Sequence, residues 1–250
     1  MQLALSTWHE AEDYLRRSVG VIVPIGSVEQ HGPNGLIGTD HLCAEVVAKG
    51  VGDATGCAVA PTLAYGMSQH HLGFPGSATL RPSTLMLVVR DVVQSLAVHG
   101  FRNFFFINGH GGNVASVTAA FDEIYAAVSL GDRVPAVRCR MAFWSGPRCK
   151  AISDELYPGV NGNHATASEV SLAQYYQPQH VKHAQMSPKV APTAPQFFEG
   201  ADYRSRYPDG RIGSDPSLSS PEHGKRLYDA AVLDMTDAYN VFLDYCAGGR

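Results

Sequence analysis

The stretch GSVEQHGPNGLIGTDH, residues 26–41, sets Glu29, His31, Asp40 and His41 just past an apolar run, VGVIVPI. A segment that only had to connect two elements would need none of them. In extended backbone, residues i and i+2 project to one side. Glu29 and His31 can therefore ligate one metal ion or two neighbouring ones, and Asp40 adds a carboxylate able to bridge a pair. His110 stands in a Gly-rich turn, NGHGGN, where Gly109, Gly111 and Gly112 permit close backbone approach. Asn113 is placed to cap the helix that follows. A donor set of His, Asp and Glu without cysteine suits Zn²⁺, Mn²⁺ or Fe²⁺ rather than a soft-metal site.

A further cluster lies in NGNHATASEVS, residues 161–171, where His164 and Glu169 flank the entry to a helix. Two readings stand side by side. In one, Thr166 or Ser168 caps the helix and Glu169 complements its dipole. In the other, His164 transfers protons and Glu169 completes a metal site. SQHHLGFPGSATL offers His70 and His71 as substrate contacts, while Phe74, Phe143 and Trp144 can form an apolar wall or flap. His41, next to Asp40 in sequence, is expected to point elsewhere, and Glu45 to lie on a solvated helix face.

These residues need a frame that brings distant segments together. Apolar strand candidates at 19–26, 57–66, 103–109 and 135–144 alternate with helical patterns at 41–55, 83–100 and 113–130. Continuous apolar runs suit a parallel sheet buried on both faces. The βαβαβαβ order predicts an α/β three-layer sandwich, a mostly parallel central sheet with helices on both faces, as a single domain over 1–250. Ser83 is the expected cap of the third helix and Gly100 its stop. Residues 145–165 show no clear period. A helix is expected at 168–178, a long ordered loop with short elements at 185–222, and a closing helix at 220–246 capped by Ser220. Open α/β sheets bind ligands beyond the carboxyl ends of their strands. EQH, SQHH and GHGGN follow the first three strands in that position, so three strand ends converge on one crevice.

Composition excludes other classes. The net charge is −4, with 45% hydrophobic and 17% charged residues. That leaves no basic footprint for nucleic acid and no polybasic membrane patch. Five scattered cysteines, odd in number and without a CxxC pair, suit a reducing cytoplasm better than a disulfide framework. No run approaches the roughly 18 apolar residues of a membrane helix, and the N-terminus lacks a signal-peptide apolar region.

Taken together, PIGSVEQHGPNGLIGTD, GMSQHHLGFPGSATL, NGHGGN, HATASEVS and the late GSDPSLSSPEHGKRL resemble the creatininase (creatinine amidohydrolase) family, in order, over nearly the whole chain. The resemblance implies an α/β sandwich and two divalent metal ions per subunit (Zn, Mn or Fe). It also implies hydrolysis of a C–N amide bond in a small substrate, and a homo-oligomer, commonly a hexamer. By motif position, Glu29, Asp40 and His110 would hold one metal, with His31 and the bridging Asp40 holding the second. Creatininase itself completes the second site with a glutamate where this chain has Gly112; the resemblance to the GHGGN branch assigns that place to Glu169. Creatininase also has a glutamate where this chain has Asn163. Both departures point away from creatinine and leave amidohydrolase chemistry in place. Related branches resemble a formamide hydrolase of flavin-type precursors and a peptidase that trims a modified peptide.

The expected chemistry is attack on the amide carbonyl by a metal-activated water, with His164 as general acid towards the leaving nitrogen. Two rivals share the residues. One is a metal-dependent lyase or isomerase using the same ions. The other is a phosphate-binding module around NGHGGN, for which the nearest basic residue is Arg102 and no P-loop lysine follows.

Overall fold

The computed structural model describes residues 1–193 and 196–248. Its sheet has four strands, β1 (Gly20–Ile25), β2 (Ala58–Val59), β3 (Asn103–Asn108) and β4 (Arg138–Phe143), all parallel in the order β2-β1-β3-β4. The period of two in the strands divides the core. Val21, Val23, Ile25, Phe104 and Phe106 face one way, while Ile22, Phe105 and Ile107 face the other. Each of the three phenylalanines is fully buried, worth roughly 1.5–3 kcal/mol apiece.

The first face packs against α1 (Trp8–Leu15), α3 (Pro82–His99) and α4 (Asn113–Ser129). The second packs against α2 (Thr39–Thr55), α5 (Pro147–Leu156), α6 (Ala167–Tyr176) and the long α8 (Pro221–Gly248). A short helix, α7 (Gly200–Arg206), lies in the segment between α6 and α8. This is the three-layer α/β architecture expected from the strand and helix order. Among the described residues, no helix is long and apolar enough to cross a membrane.

Several local expectations are corrected. The strand at 57–66 shrinks to two residues, followed by a single bridge between Ile25 and Leu63. Pro61 here and Pro24 in β1 each lack the N–H a continuous ladder requires. Ser83 does not cap α3; Arg81 precedes it in extended conformation and Pro82 opens the first turn, where a missing N–H costs nothing. Asn113 is the first residue of α4 rather than its cap, and its side chain instead ties Met67 N and Gly26 O together. α5 lies in the stretch without clear period, its start marked by Pro147. Glu45 is only partly solvated: it accepts from Lys49, Tyr176 and Thr62.

Candidate metal centre

The strand ends deliver the side chains. Glu29 and His31 follow β1, His110 follows β3, and Asp40 sits in the first turn of α2. Gly109 allows that turn to reach the strand ends, since a Cβ there would lie 2.0 Å from Asp40 O. His164 and Glu169 come from the entry to α6. Between them Ala165 adopts φ 51°, a left-handed conformation sparsely populated by residues with a Cβ. Thr166 caps α6 and Glu169 Oε1 accepts from Thr166 N at 2.6 Å, a capping box. The cap and the site are compatible readings, because the box holds Glu169 facing the cluster.

Three groups of ligand atoms could each hold a metal ion, with all atoms in a group within 4.8 Å of one another: Glu29/Asp40/His110, His31/Asp40/Glu169 and Glu29/His31/His164. The first two share Asp40. His110 Nδ1 lies 3.1 Å from Asp40 Oδ2 and 3.3 Å from Glu29 Oε2. His31 Nε2 lies 3.1 Å from Asp40 Oδ1 and 3.8 Å from Glu169 Oε1. Glu29, His31 and Asp40 are buried to within 3% of complete.

The donor set fits a cation. His110 directs its other nitrogen, Nε2, at Met67 O at 2.9 Å, and His31 directs Nδ1 at Glu29 O at 3.2 Å. A carbonyl can only accept, so with a metal bound each imidazole would carry its one proton on that far nitrogen and turn a bare one towards the carboxylates, the outer arrangement of a ligating histidine. Both Glu29 oxygens, His31 Nε2 and Asp40 Oδ2 are buried without a hydrogen bond among the described residues. Such orphans are costly in a dry interior, and a positive charge between them removes the cost.

Electrostatics says the same. Burial and the Asp40 carboxylate push the Glu29 carboxyl up. Burial and Asp40 also push up Glu169, against His31. Burial disfavours the His31 and His110 cations, yet the carboxylates outweigh it and hold the two imidazoles at about 10 and about 9. Burial opposes ionised Asp40, but those two histidines hold it well below the usual carboxylate range. Protons here supply the positive charge that a metal would supply instead.

His164 Nδ1 stands 3.7 Å from Glu29 Oε1, and its Nε2 stands 2.8 Å from Gln30 O. Burial beside His71 and His31 keeps it neutral. His71 also lines the site, but both its nitrogens are engaged, Nε2 at 3.2 Å from Glu29 Oε1 and Nδ1 at 3.0 Å from Gln30 Nε2. His70 is half-buried on the cavity wall, its ring 5.1 Å from that of Phe197. Trp144, expected to touch substrate, does not line this cavity; it is 2% exposed in the core with α5, α6 and α8. Its place at the end of β4, on the face those helices cover, accounts for the difference. Phe143 is partly exposed beside it. Phe74 packs on Tyr203. Gly112 lines the site with no room for a side chain, because a Cβ would lie 2.4 Å from His110 Nε2 and 2.5 Å from Met67 O.

The cavity over the cluster measures about 330 Å³ and is closed by Phe197, Tyr203, Tyr207 and Ile212, from α7 and its flanks. Sequence reasoning named none of these four as site residues. Their spread of aromatics through a Pro- and Gly-rich segment is the available signal.

Residues 4–239 match the family model Creatininase: Creatinine amidohydrolase. The chain belongs to the creatininase family. It is 27% identical over 242 residues to the creatinine amidohydrolase of Pseudomonas putida, covering 93% of both chains. It is 29% identical over 227 residues to the mycofactocin precursor peptide peptidase of Mycobacterium ulcerans, covering 86% of this chain and 82% of that one. Among solved structures, a creatininase mutant described as Zn-Zn type matches with TM-score 0.80 at 25% identity, covering 95% of this chain and 96% of its own. A manganese creatininase matches with TM-score 0.80 at 26% identity and the same coverage. This creatininase-family chain keeps a shared aspartate between its two main ligand groups while carrying glycine at position 112.

Proposed function

We propose that this protein is a metal-dependent hydrolase of a C–N amide bond in a small substrate, working with two divalent ions. The observation that carries the reading is the pair of ligand groups meeting at Asp40. Glu29, Asp40 and His110 would hold one ion, with His31, Asp40 and Glu169 holding the other. The zinc and manganese forms of related creatininases support the choice of metals, with Fe²⁺ a third suited to the donor set. Bound there, the ions supply Lewis acidity and lower the pKa of water towards neutrality.

The chain's own residues do the rest. The cavity of about 330 Å³ has a size suited to a small molecule. Phe197 and Tyr203 offer it flat apolar faces. The residues lining it include no lysine or arginine, so apart from the ions no cationic side chain there rewards a phosphate or carboxylate on the substrate. His164 Nδ1, neutral and facing the cluster, takes the proton released as water adds to the carbonyl carbon. It then delivers that proton to the nitrogen as the C–N bond breaks, leaving an acid and an amine. Amide nitrogen departs only when protonated, so this transfer is required. By family resemblance the working form is a homo-oligomer, with a hexamer expected.

The test is metal analysis of the purified protein, then hydrolysis of creatinine, formamidopyrimidines, small lactams and short peptides with Zn²⁺, Mn²⁺ or Fe²⁺. The expected result is turnover of a small amide, with solvent ¹⁸O entering the acid product. Turnover of peptides alone would move the protein to the peptidase side of its family. No amide turnover by a fully metallated protein would sink the reading. His164→Ala should lose roughly 10²–10⁴-fold in kcat with both ions retained, and near-full kcat in that variant would remove His164 from the mechanism.

A further inference from the structure

Gln30 lies between Glu29 and His31, and it is 7% exposed. Its amide is clamped at both ends by main chain. Oε1 accepts from Gly32 N at 2.8 Å, and Nε2 donates to Gly210 O at 2.9 Å. Turning the amide over would set donor against donor and acceptor against acceptor, so one orientation holds. Nε2 then has two further neighbours, His71 Nδ1 at 3.0 Å and His164 Nε2 at 2.9 Å. Three acceptor positions thus compete for two amide hydrogens, one of which is committed to Gly210.

The main-chain oxygen of Gln30 breaks the tie. It stands 2.8 Å from His164 Nε2, and a carbonyl can only accept. His164 must carry its hydrogen on Nε2 to meet it; a bare nitrogen there would face an oxygen lone pair. The second amide hydrogen therefore goes to His71 Nδ1. That leaves the His71 hydrogen on Nε2, whose neighbour is Glu29 Oε1 at 3.2 Å, an ion-pair distance. The main-chain oxygens of Gln30 and Gly210 then each have a donor.

We propose that Gln30 is the positioning residue of this centre, fixing through one side-chain amide and one main-chain carbonyl the tautomers of both His71 and His164. Two consequences reach the ligand cluster. The His71 Nε2–H stands beside Glu29 Oε1 at 3.2 Å, and Glu29 Oε2 lies where His110 Nδ1 stands at 3.3 Å. His164 turns its bare Nδ1 towards the cluster, as proton acceptance in the proposed hydrolysis requires. His71 is thereby assigned to orienting Glu29 and not to holding substrate. The role in turnover rests on the hydrolase reading; the tautomer assignment does not.

The test reads tautomers directly, by ¹⁵N–¹H correlation of the histidine rings in metal-free and zinc-loaded protein, assigned with His71→Gln and His164→Gln. Wild type should show both rings neutral with the hydrogen on Nε2. A hydrogen on Nδ1 of either ring in the metal-free protein would overturn the proposal, whether or not any variant folds. Gln30→Met removes the amide while keeping length and apolar volume, and Gln30→Glu keeps the acceptor to Gly32 N while replacing the donor. Both should release His71 from its Nε2–H form and weaken zinc binding roughly 10–100-fold, the usual effect of losing an outer partner of a metal site. The loss in turnover should appear in kcat more than in KM. Wild-type tautomers and wild-type zinc affinity in a folded Gln30→Met protein would refute the assignment. Correct tautomers without any amide turnover would sink the hydrolase reading and leave this one standing.

Discussion

Asp40 is the residue on which two of the three ligand groups converge, those with His110 and with Glu169, and that makes a graded prediction possible. Glu29→Gln removes a member of the group with His110, and Glu169→Gln removes a member of the group with His31. Asp40→Asn strikes both. Wild type should bind two equivalents of zinc, each glutamate variant one, and Asp40→Asn none. Thermal stability should follow the same steps. A ligand at one hundred times its Kd stabilises by about 2.7 kcal/mol, and a chain of this length gains about 2–4 °C per kcal/mol, so each occupied site should raise Tm by about 5–11 °C. Wild type should therefore show about twice the zinc-dependent rise of either glutamate variant, and Asp40→Asn should show none. The assay is differential scanning calorimetry against free zinc, with metal content measured on the same samples. Equal rises in Asp40→Asn and the glutamate variants would refute the shared role of Asp40, as would one tightly held equivalent in Asp40→Asn. The metal-free variants supply the internal control. Asp40→Asn leaves His31 and His110 without their nearest carboxylate. Breaking a buried pair in this way costs about 3–5 kcal/mol, so its baseline Tm should fall even where its zinc response vanishes.

Three further outcomes follow from the same geometry. His31 and His110 are raised to about 10 and about 9 in the folded, metal-free chain. Their contribution is complete below the ordinary histidine pKa of about 6.5 and is lost as pH rises through about 9–10. Metal-free protein should lose Tm across that window while zinc-loaded protein holds, since its imidazoles are already deprotonated; parallel profiles would contradict it. Gly112→Ala, one step towards the glutamate of creatininase, drives a methyl against His110 Nε2 and Met67 O. It should cost about 1–3 kcal/mol, visible by melting the metal-free protein, and should weaken zinc binding; an unchanged melt would show that this turn has slack. Trp144→Phe loses packing but also removes an indole N–H that finds no acceptor among the described residues. The two effects are of similar size, about 1–2 kcal/mol each, so stability should change by less than about 1 kcal/mol. KM should not move, and a large rise in KM would return Trp144 to the substrate.

The layered architecture was legible because its signals are local. Phe104, Phe105 and Phe106 cannot all be buried unless a sheet is covered on both faces, and helices of regular period flanked them. What failed locally was chemistry against the pattern: two prolines cut the second strand short, and a proline rather than a serine opened α3. Glu29, His31, Asp40 and His110 were legible as types around strand ends and Glu169 only through the family resemblance, and the fold gathers all five into overlapping groups. Of the cavity wall, His70 and His71 were legible and the aromatic side was not. Phe197 and Tyr203 meet His70 from a stretch more than a hundred residues away, and no periodicity encodes that contact. Trp144 was misplaced for a related reason, since sequence gives proximity to a strand end but not the face.

Gln30 shows the limit most clearly. Read as sequence, it is a spacer that puts Glu29 and His31 at i and i+2. In extended backbone the residue between two ligands projects to the other side of the chain, into whatever packs there. Here that is His71, His164 and Gly210, brought from three separate segments. The spacing that lets two residues ligate therefore also aims a third at the surrounding shell. An apolar residue at position 30 would keep the spacing and the strand but leave Gly210 O, His71 Nδ1 and Gly32 N with one partner fewer each. A metal-ligand motif of alternate residues thus carries its positioning residue inside itself, and the chemistry of the intervening side chain decides whether the ligands are held or merely present.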